Sequence, residues 1–302
     1  MTATSTAFAP PGVRITDTTD EVLAALAALG SDATVMAGGT EVMIRLRRRE
    51  IDPKLLLHIG RHSELRTITE DAVVDPDGGA AAAALRIGAT VTHHDLLADP
   101  RVPELVKITA ERIGYPQTQE LGTVGGNLII AHPADLATPF LVHDAQAVLS
   151  SQAGTRTVAV ADLMLGDRLT AIRPDELLSS VTLPTLPGAV TGYRKVGRRG
   201  EMDAPIITVA ILLQFGTGAT ITDARVAVGS YADVPFRARA LEQALVRTGL
   251  PDGPAIAELS RLADLGAEAV EDVKATARYR RTLLPRLVAD VLTGCLARGV
   301  DR

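Results

Sequence analysis

The chain has 302 residues, 46% of them hydrophobic and 22% charged, with a net charge of −5. At about 150 residues per domain this allows two domains, and the composition excludes a mostly disordered chain. The absence of Trp, the 3% aromatic share and the acidic balance exclude an aromatic, basic nucleic-acid platform.

In chain order, Thr18 and Glu21 form a capping pattern ahead of Val22, Leu23, Leu26 and Leu29, which predicts a helix that Gly30 ends. Residues 33–36 read as a buried strand, broken by Gly38 and Gly39. The spacing of Val42, Met43 and Leu46 predicts a helix over 40–49, and 55–59 a second strand. Residues 75–80 carry a turn signal. Residues 85–89 read as a strand, and 93–98 and 103–112 as helices. After a second glycine pair, Gly125 and Gly126, the pattern predicts a helix over 133–143. Strands are predicted at 148–151, 157–160 and 178–183. The proline-rich stretch 184–188 marks a domain boundary. Beyond it, strands at 193–196, 206–215 and 224–228 suggest an antiparallel meander, followed by helices at 237–248, 254–265 and 276–296. Strands followed by helices indicate an α+β domain.

Cys295 is the single cysteine, so no internal disulfide is possible. An iron–sulfur cluster, which takes about four thiolates, is excluded as well. A reducing cytoplasm is the expected setting. No apolar run approaches the roughly 20 residues of a membrane span. The first eleven residues have neither a basic region nor an apolar core and read as a frayed tail rather than a secretory signal.

The strongest local feature is Val35-Met36-Ala37-Gly38-Gly39-Thr40-Glu41-Val42. A strand ends, two glycines turn the chain, and a helix is expected from Thr40. Glycine lets the backbone approach a ligand, and a helix start offers free N–H groups suited to phosphate. Alone, the same residues are explained as a tight turn with Thr40 as N-cap. The second feature is Gly122-Thr123-Val124-Gly125-Gly126-Asn127, with Asp135 at the expected start of the next helix. Alone it too reads as a loop. The two glycine pairs lie 87 positions apart. A large ligand with a pyrophosphate could lie between them.

These motifs, with 85–90, Pro133-Ala134-Asp135, Gly192-Tyr193-Arg194-Lys195-Val196-Gly197 and Arg278-Tyr279-Arg280-Arg281, resemble the FAD-binding subunit of molybdenum hydroxylases, the relatives of xanthine dehydrogenase and carbon monoxide dehydrogenase. The resemblance covers nearly the whole chain. It implies a two-part FAD-binding α/β domain of the PCMH type (residues 1–62 and 63–186), then a C-terminal domain (190–302) with an antiparallel sheet and helices. It implies that Val35, Met36, Ala37, Gly38, Gly39, Thr40, Glu41 and Val42 wrap the FAD pyrophosphate. Thr123, Gly126 and Asn127 would form a second wall, with Ile130 nearby. Asp135 would contact the ribose side, and Leu178 and Lys195 would lie along the flavin ring. A cation there would favour the reduced flavin. The sequence departs from the family at Gln119 and Glu120, where Arg-Asn is usual; a loop facing the flavin or the iron–sulfur subunit would then be altered.

Other candidates are set aside. His58 and His62 have ligand-like spacing but no third ligand, so no metal site is expected. His93 and His94 read as polar residues at a helix start, and His132 and His143 as flanks of a helix. Arg45–Arg49 read as a solvated helix face and Cys295 as core. No catalytic acid, base or nucleophile is expected.

The expected function is electron transfer by FAD. Electrons would come from a large molybdopterin subunit through [2Fe–2S] clusters on a small subunit and leave to an external acceptor, within a cytoplasmic dimer of heterotrimers. The alternatives are a stand-alone flavin oxidoreductase and a flavin-free accessory nucleotide-binding protein.

Overall fold

The computed structural model describes residues 10–73, 82–131 and 134–300. The expected turn at 75–80, the tail before Pro10, His132 and Pro133 lie outside the described residues.

Three units follow one another. The first holds a parallel sheet of β1 (Gly12–Ile15), β2 (Ala33–Met36) and β3 (Leu55–His58), in the order β1-β3-β2. Helix α1 (Thr19–Leu29) starts where expected. Thr18 Oγ1 accepts from Glu21 N, and Asp17 N donates to the Glu21 carboxylate at 3.0 Å. Its Val22, Leu23 and Leu26 bury against Ala33 and Leu57 of the sheet. Helix α2 (Val42–Arg47) crosses from β2 to β3.

In the second unit β4 (Ile68–Val73) and β5 (Ala82–Gly88) lead into five short helices. These are α3 (His93–Ala98), α4 (Glu104–Glu111), α5 (Pro116–Leu121), α6 (Val124–Ile129) and α7 (Ala137–Val142). The chain then returns through β6 (Gln146–Ser151), β7 (Gly154–Ala159), α8 (Val160–Leu163), a small hairpin of β8 (Met164–Gly166) and β9 (Leu169–Thr170), and β10 (Leu177–Pro184). The main sheet runs β4-β5-β10-β6-β7, all antiparallel.

The third unit is the expected meander, β11 (Val190–Gly197), β12 (Pro205–Phe215), β13 (Ile221–Gly229) and β14 (Phe236–Arg237). Helices α9 (Arg239–Thr248), α10 (Gly253–Leu259) and α11 (Ala277–Val300) follow. Ile207, Val209, Ile211 and Leu213 of β12 face these helices. Period-two alternation turns Ala210 and Leu212 the other way, against Leu105 of α4 and Leu141 and Val142 of α7. Strand β12 is therefore buried on both faces, which explains its almost unbroken apolar run. Arg280, fully buried at the start of α11, donates to the carbonyls of Ile206, Ser230, Val270 and Ala275 and to Asp272. Against the cost of burial, these bonds and nearby N–H groups pull the Asp272 carboxyl down to about 2.

Three local expectations are corrected. Helix α2 begins at Val42, and Thr40 does not cap it; Gly39 O accepts from Met43 N at 3.2 Å, so the glycine turn itself forms the helix entry. Gly125 and Gly126 stand inside α6 rather than in a loop, because Thr123 Oγ1 caps that helix by accepting from Gly126 N at 3.1 Å. Asp135 precedes α7, whose N-cap is Leu136, so its carboxylate is not held by a helix start. Strands β4, β8 and β9 and helix α5 carry no clear periodicity because they are short or exposed.

Candidate functional site

The fold brings the two glycine features into contact. A Cβ on Gly38 would lie 1.7 Å from Leu121 O and 3.3 Å from Gly122 N, so only glycine permits this approach. Gly39 has φ +70°, which turns the chain after β2. The N–H groups of Gly38, Gly39 and Thr40 donate to no acceptor among the described residues. On the second segment, a Cβ on Gly126 would meet only the Thr123 hydroxyl among the described residues, at 3.0 Å. The backbone there is open to close approach. Asn127 Oδ1 accepts from Leu136 N at 3.0 Å and anchors the chain entering α7. Ile130 is the half-buried C-cap of α6.

Around the first turn, Met36 O accepts from Ile59 N, and a Cβ on Gly39 would meet the Met36 sulfur at 3.3 Å. Val35, Ala37 and Val42 are half-buried and Thr40 is exposed. Glu41 pairs with Arg168 at 3.3 Å, which ties the turn to the β8–β9 hairpin. Leu178 is 1% exposed in the core of the second unit, at the β10 bulge.

Lys195 and Asp135 meet each other. On β11, Tyr193 and Lys195 alternate onto the face that meets the second unit. Lys195 Nζ lies 3.0 Å from Asp135 Oδ1 and donates to Arg112 O at 2.8 Å. The two side chains are 1% and 7% exposed. A ribose contact by Asp135 and a ring contact by Lys195 would thus belong to one place. Burial pushes the Asp135 carboxyl up, and Lys195 works against that rise.

Two neighbours were not among the candidates. The Tyr193 hydroxyl is buried without a well-formed hydrogen bond; burial and the Asp135 charge hold its pKa well above the ordinary tyrosine value. His93, 3% exposed, packs against Gly122, and neither ring nitrogen has a well-formed bond. Burial pushes it down to about 4, so it is neutral. Tyr193 was findable from strand alternation; nothing local signals the burial of His93.

Gln119, the departure from the family pattern, does not face this site. Its amide donates to Glu111 O at 2.9 Å and Gly114 O at 3.3 Å and closes the turn between α4 and α5. Glu120 is exposed and pairs with His94 at 3.4 Å. His62 is bonded to Thr16, and no metal-ligating cluster occurs among the described residues. Cys295 is buried, and burial pushes its thiol up to about 11. No helix among the described residues is long and apolar enough to cross a membrane.

Open backbone, two glycine segments in contact and a buried polar pair are features that a dinucleotide would use. Residues 11–186 match the family model described as FAD binding domain in molybdopterin dehydrogenase, and 191–294 the CO dehydrogenase flavoprotein C-terminal domain. The chain belongs to this family and is an oxidoreductase subunit that binds FAD.

It is 31% identical over 229 residues to the glyceraldehyde dehydrogenase medium chain of Sulfolobus acidocaldarius, covering 74% of this chain and 77% of that one. It is 27% identical over 283 residues to the carbon monoxide dehydrogenase medium chain of Hydrogenophaga pseudoflava, covering 92% and 94%. The fold is similar to that of quinoline 2-oxidoreductase from Pseudomonas putida 86, with a TM-score of 0.87, 25% identity, and 97% and 99% of the chains covered. The residues fit FAD on structural grounds: the N–H groups at 38–40 have no acceptor among the described residues, and Gly126 leaves room where a side chain would intrude.

Proposed function

We propose that FAD lies between the two glycine walls, and that the chain relays electrons from an iron–sulfur subunit to an external acceptor. What carries this reading is the approach of the Gly38–Gly39 turn to the Leu121–Gly126 segment, with unpartnered N–H groups on one side and an open glycine on the other. The N–H groups of Gly38, Gly39 and Thr40 would bind the pyrophosphate. Thr123 would hold Gly126 in place through its cap, and Asn127 would fix the entry to α7. Asp135 and Lys195 would form the polar wall at the flavin end, and the main chain of Leu178 would border it. When bound, FAD supplies the exchange between one- and two-electron carriers, and the protein places and tunes it.

The three larger sheets support a division into two FAD-binding parts, residues 1–62 and 63–186, and a C-terminal domain, 190–302. The lone Cys295 cannot ligate a cluster, which supports clusters and molybdopterin on separate subunits. We place the working assembly as a dimer of heterotrimers in the cytoplasm.

The test is Gly126→Val. A side chain there meets little of the protein, so the variant should keep its circular dichroism spectrum and lose FAD affinity by at least about tenfold, or ~1.4 kcal/mol. Full FAD content in a folded variant would overturn the site. Companion chains that co-purify without iron would overturn the relay.

A further inference from the structure

We propose that Asp135 is the counter-charge that decides how much positive potential Lys195 presents to the flavin, so that the two act as one neutral unit. This rests on the placement of Lys195 at the flavin end given above. An isolated buried ammonium beside an electron-accepting ring would favour the reduced state, because its field is little screened away from water. Here the ammonium is not isolated. Asp135 Oδ1 stands 3.0 Å from it, and the Arg112 carbonyl accepts a hydrogen bond from it. Both side chains are buried, so water does not take the place of either partner. The groups around the pair add no net charge to it: the Tyr193 phenol stays protonated and the His93 ring stays neutral. Charges farther out, at Lys274 and at the Arg112–Glu201 pair, are more exposed. Asp135 is therefore a positioning residue that acts through Lys195.

A charge pair has a signature that a packing role lacks, namely opposite signs and cancellation. The full-length chain is loaded with FAD and its midpoint potential is measured by spectroelectrochemistry. Asp135→Asn leaves the ammonium uncompensated and is expected to raise the potential. Lys195→Met removes the cation and is expected to lower it. The double variant is expected to return close to the native value. In the FAD-free chain, each single variant should lower the melting temperature, and the double should recover part of that loss. Shifts of the same sign, or a double variant whose potential stays displaced as far as that of a single variant, would overturn the proposal. So would an unmoved potential in FAD-loaded Asp135→Asn. If Asp135→Asn alone loses FAD, the double variant must regain it; a double without FAD beside a Lys195→Met that keeps it also overturns the charge account. Failure of the native chain to bind FAD would overturn the site itself, and this inference with it.

Discussion

His93 shows how burial alone sets the state of a side chain. Its ring lies between α3 and the chain before α6, out of water and without a well-formed bond. Desolvation disfavours the charged form and holds it near 4, against an ordinary value of 6.5. The unfolded chain therefore binds a proton that the folded chain refuses between those two values. Stability from this residue is complete above pH 6.5 and falls as the pH drops toward 4. At ~1.36 kcal/mol per unit the loss is about 3 kcal/mol. Urea titrations of native and His93→Gln proteins should show a shallower decline in the variant between pH 6.5 and 4. Parallel declines would show that His93 is protonated in the fold after all. Lys195 and Asp135 are a second case at this scale. Removing either partner of a buried pair costs roughly 3–5 kcal/mol, because the other is left uncompensated.

Among the elements, the glycine turns differ in what they demand. Gly38 approaches the Leu121 carbonyl so closely that any Cβ must displace backbone. Gly126 meets one hydroxyl oxygen. Gly38→Ala should therefore cost stability, by more than ~2 kcal/mol in the overpacking range, and FAD binding as well. Gly126 substitutions should cost binding alone. Thermal melts of the FAD-free proteins separate the two, and equal melting temperatures would contradict the contact between the turns. The turn after β2 was legible because a short apolar run, two glycines and an amphipathic stretch follow one another. The helix at Gly125 and Gly126 was not legible. Two glycines argue against a helix by propensity, and the Thr123 cap with the support of Ala89 beneath Gly125 overrides that.

In the whole molecule, the C-terminal sheet is docked on the second unit by an apolar seam and an ionic rim. Leu105, Leu141, Val142, Ala210, Leu212 and Ala227 form the seam. At the rim Asp144 accepts from Arg225 and Arg237, each at 2.8 Å, and Arg112 pairs with Glu201 at 2.7 Å. Leu105 is fully buried. Leu105→Ala should cost about 2–5 kcal/mol and loosen the docking. Limited proteolysis should then cut faster near residues 185–189, and an unchanged cleavage rate would assign the seam no role in holding the units together. The docking matters for the site because Lys195 comes from the third unit, and Asp135 and Arg112 from the second.

By itself the sequence determined most of the larger strands and helices, the two glycine features and, through resemblance, the family. These are carried by short patterns whose meaning depends on nearest neighbours along the chain: alternation, capping residues and glycine pairs. Only the tertiary structure decided that Gly38 touches Leu121, that Asp135 faces Lys195, that Gln119 closes a turn, and that His93 is buried. Each of these depends on residues brought together by packing, where exclusion of water and the space left for a Cβ settle the outcome. Gln119 shows the limit most plainly. Its place in the motif suggested a loop facing the flavin or the iron–sulfur subunit, and its hydrogen bonds point into its own turn.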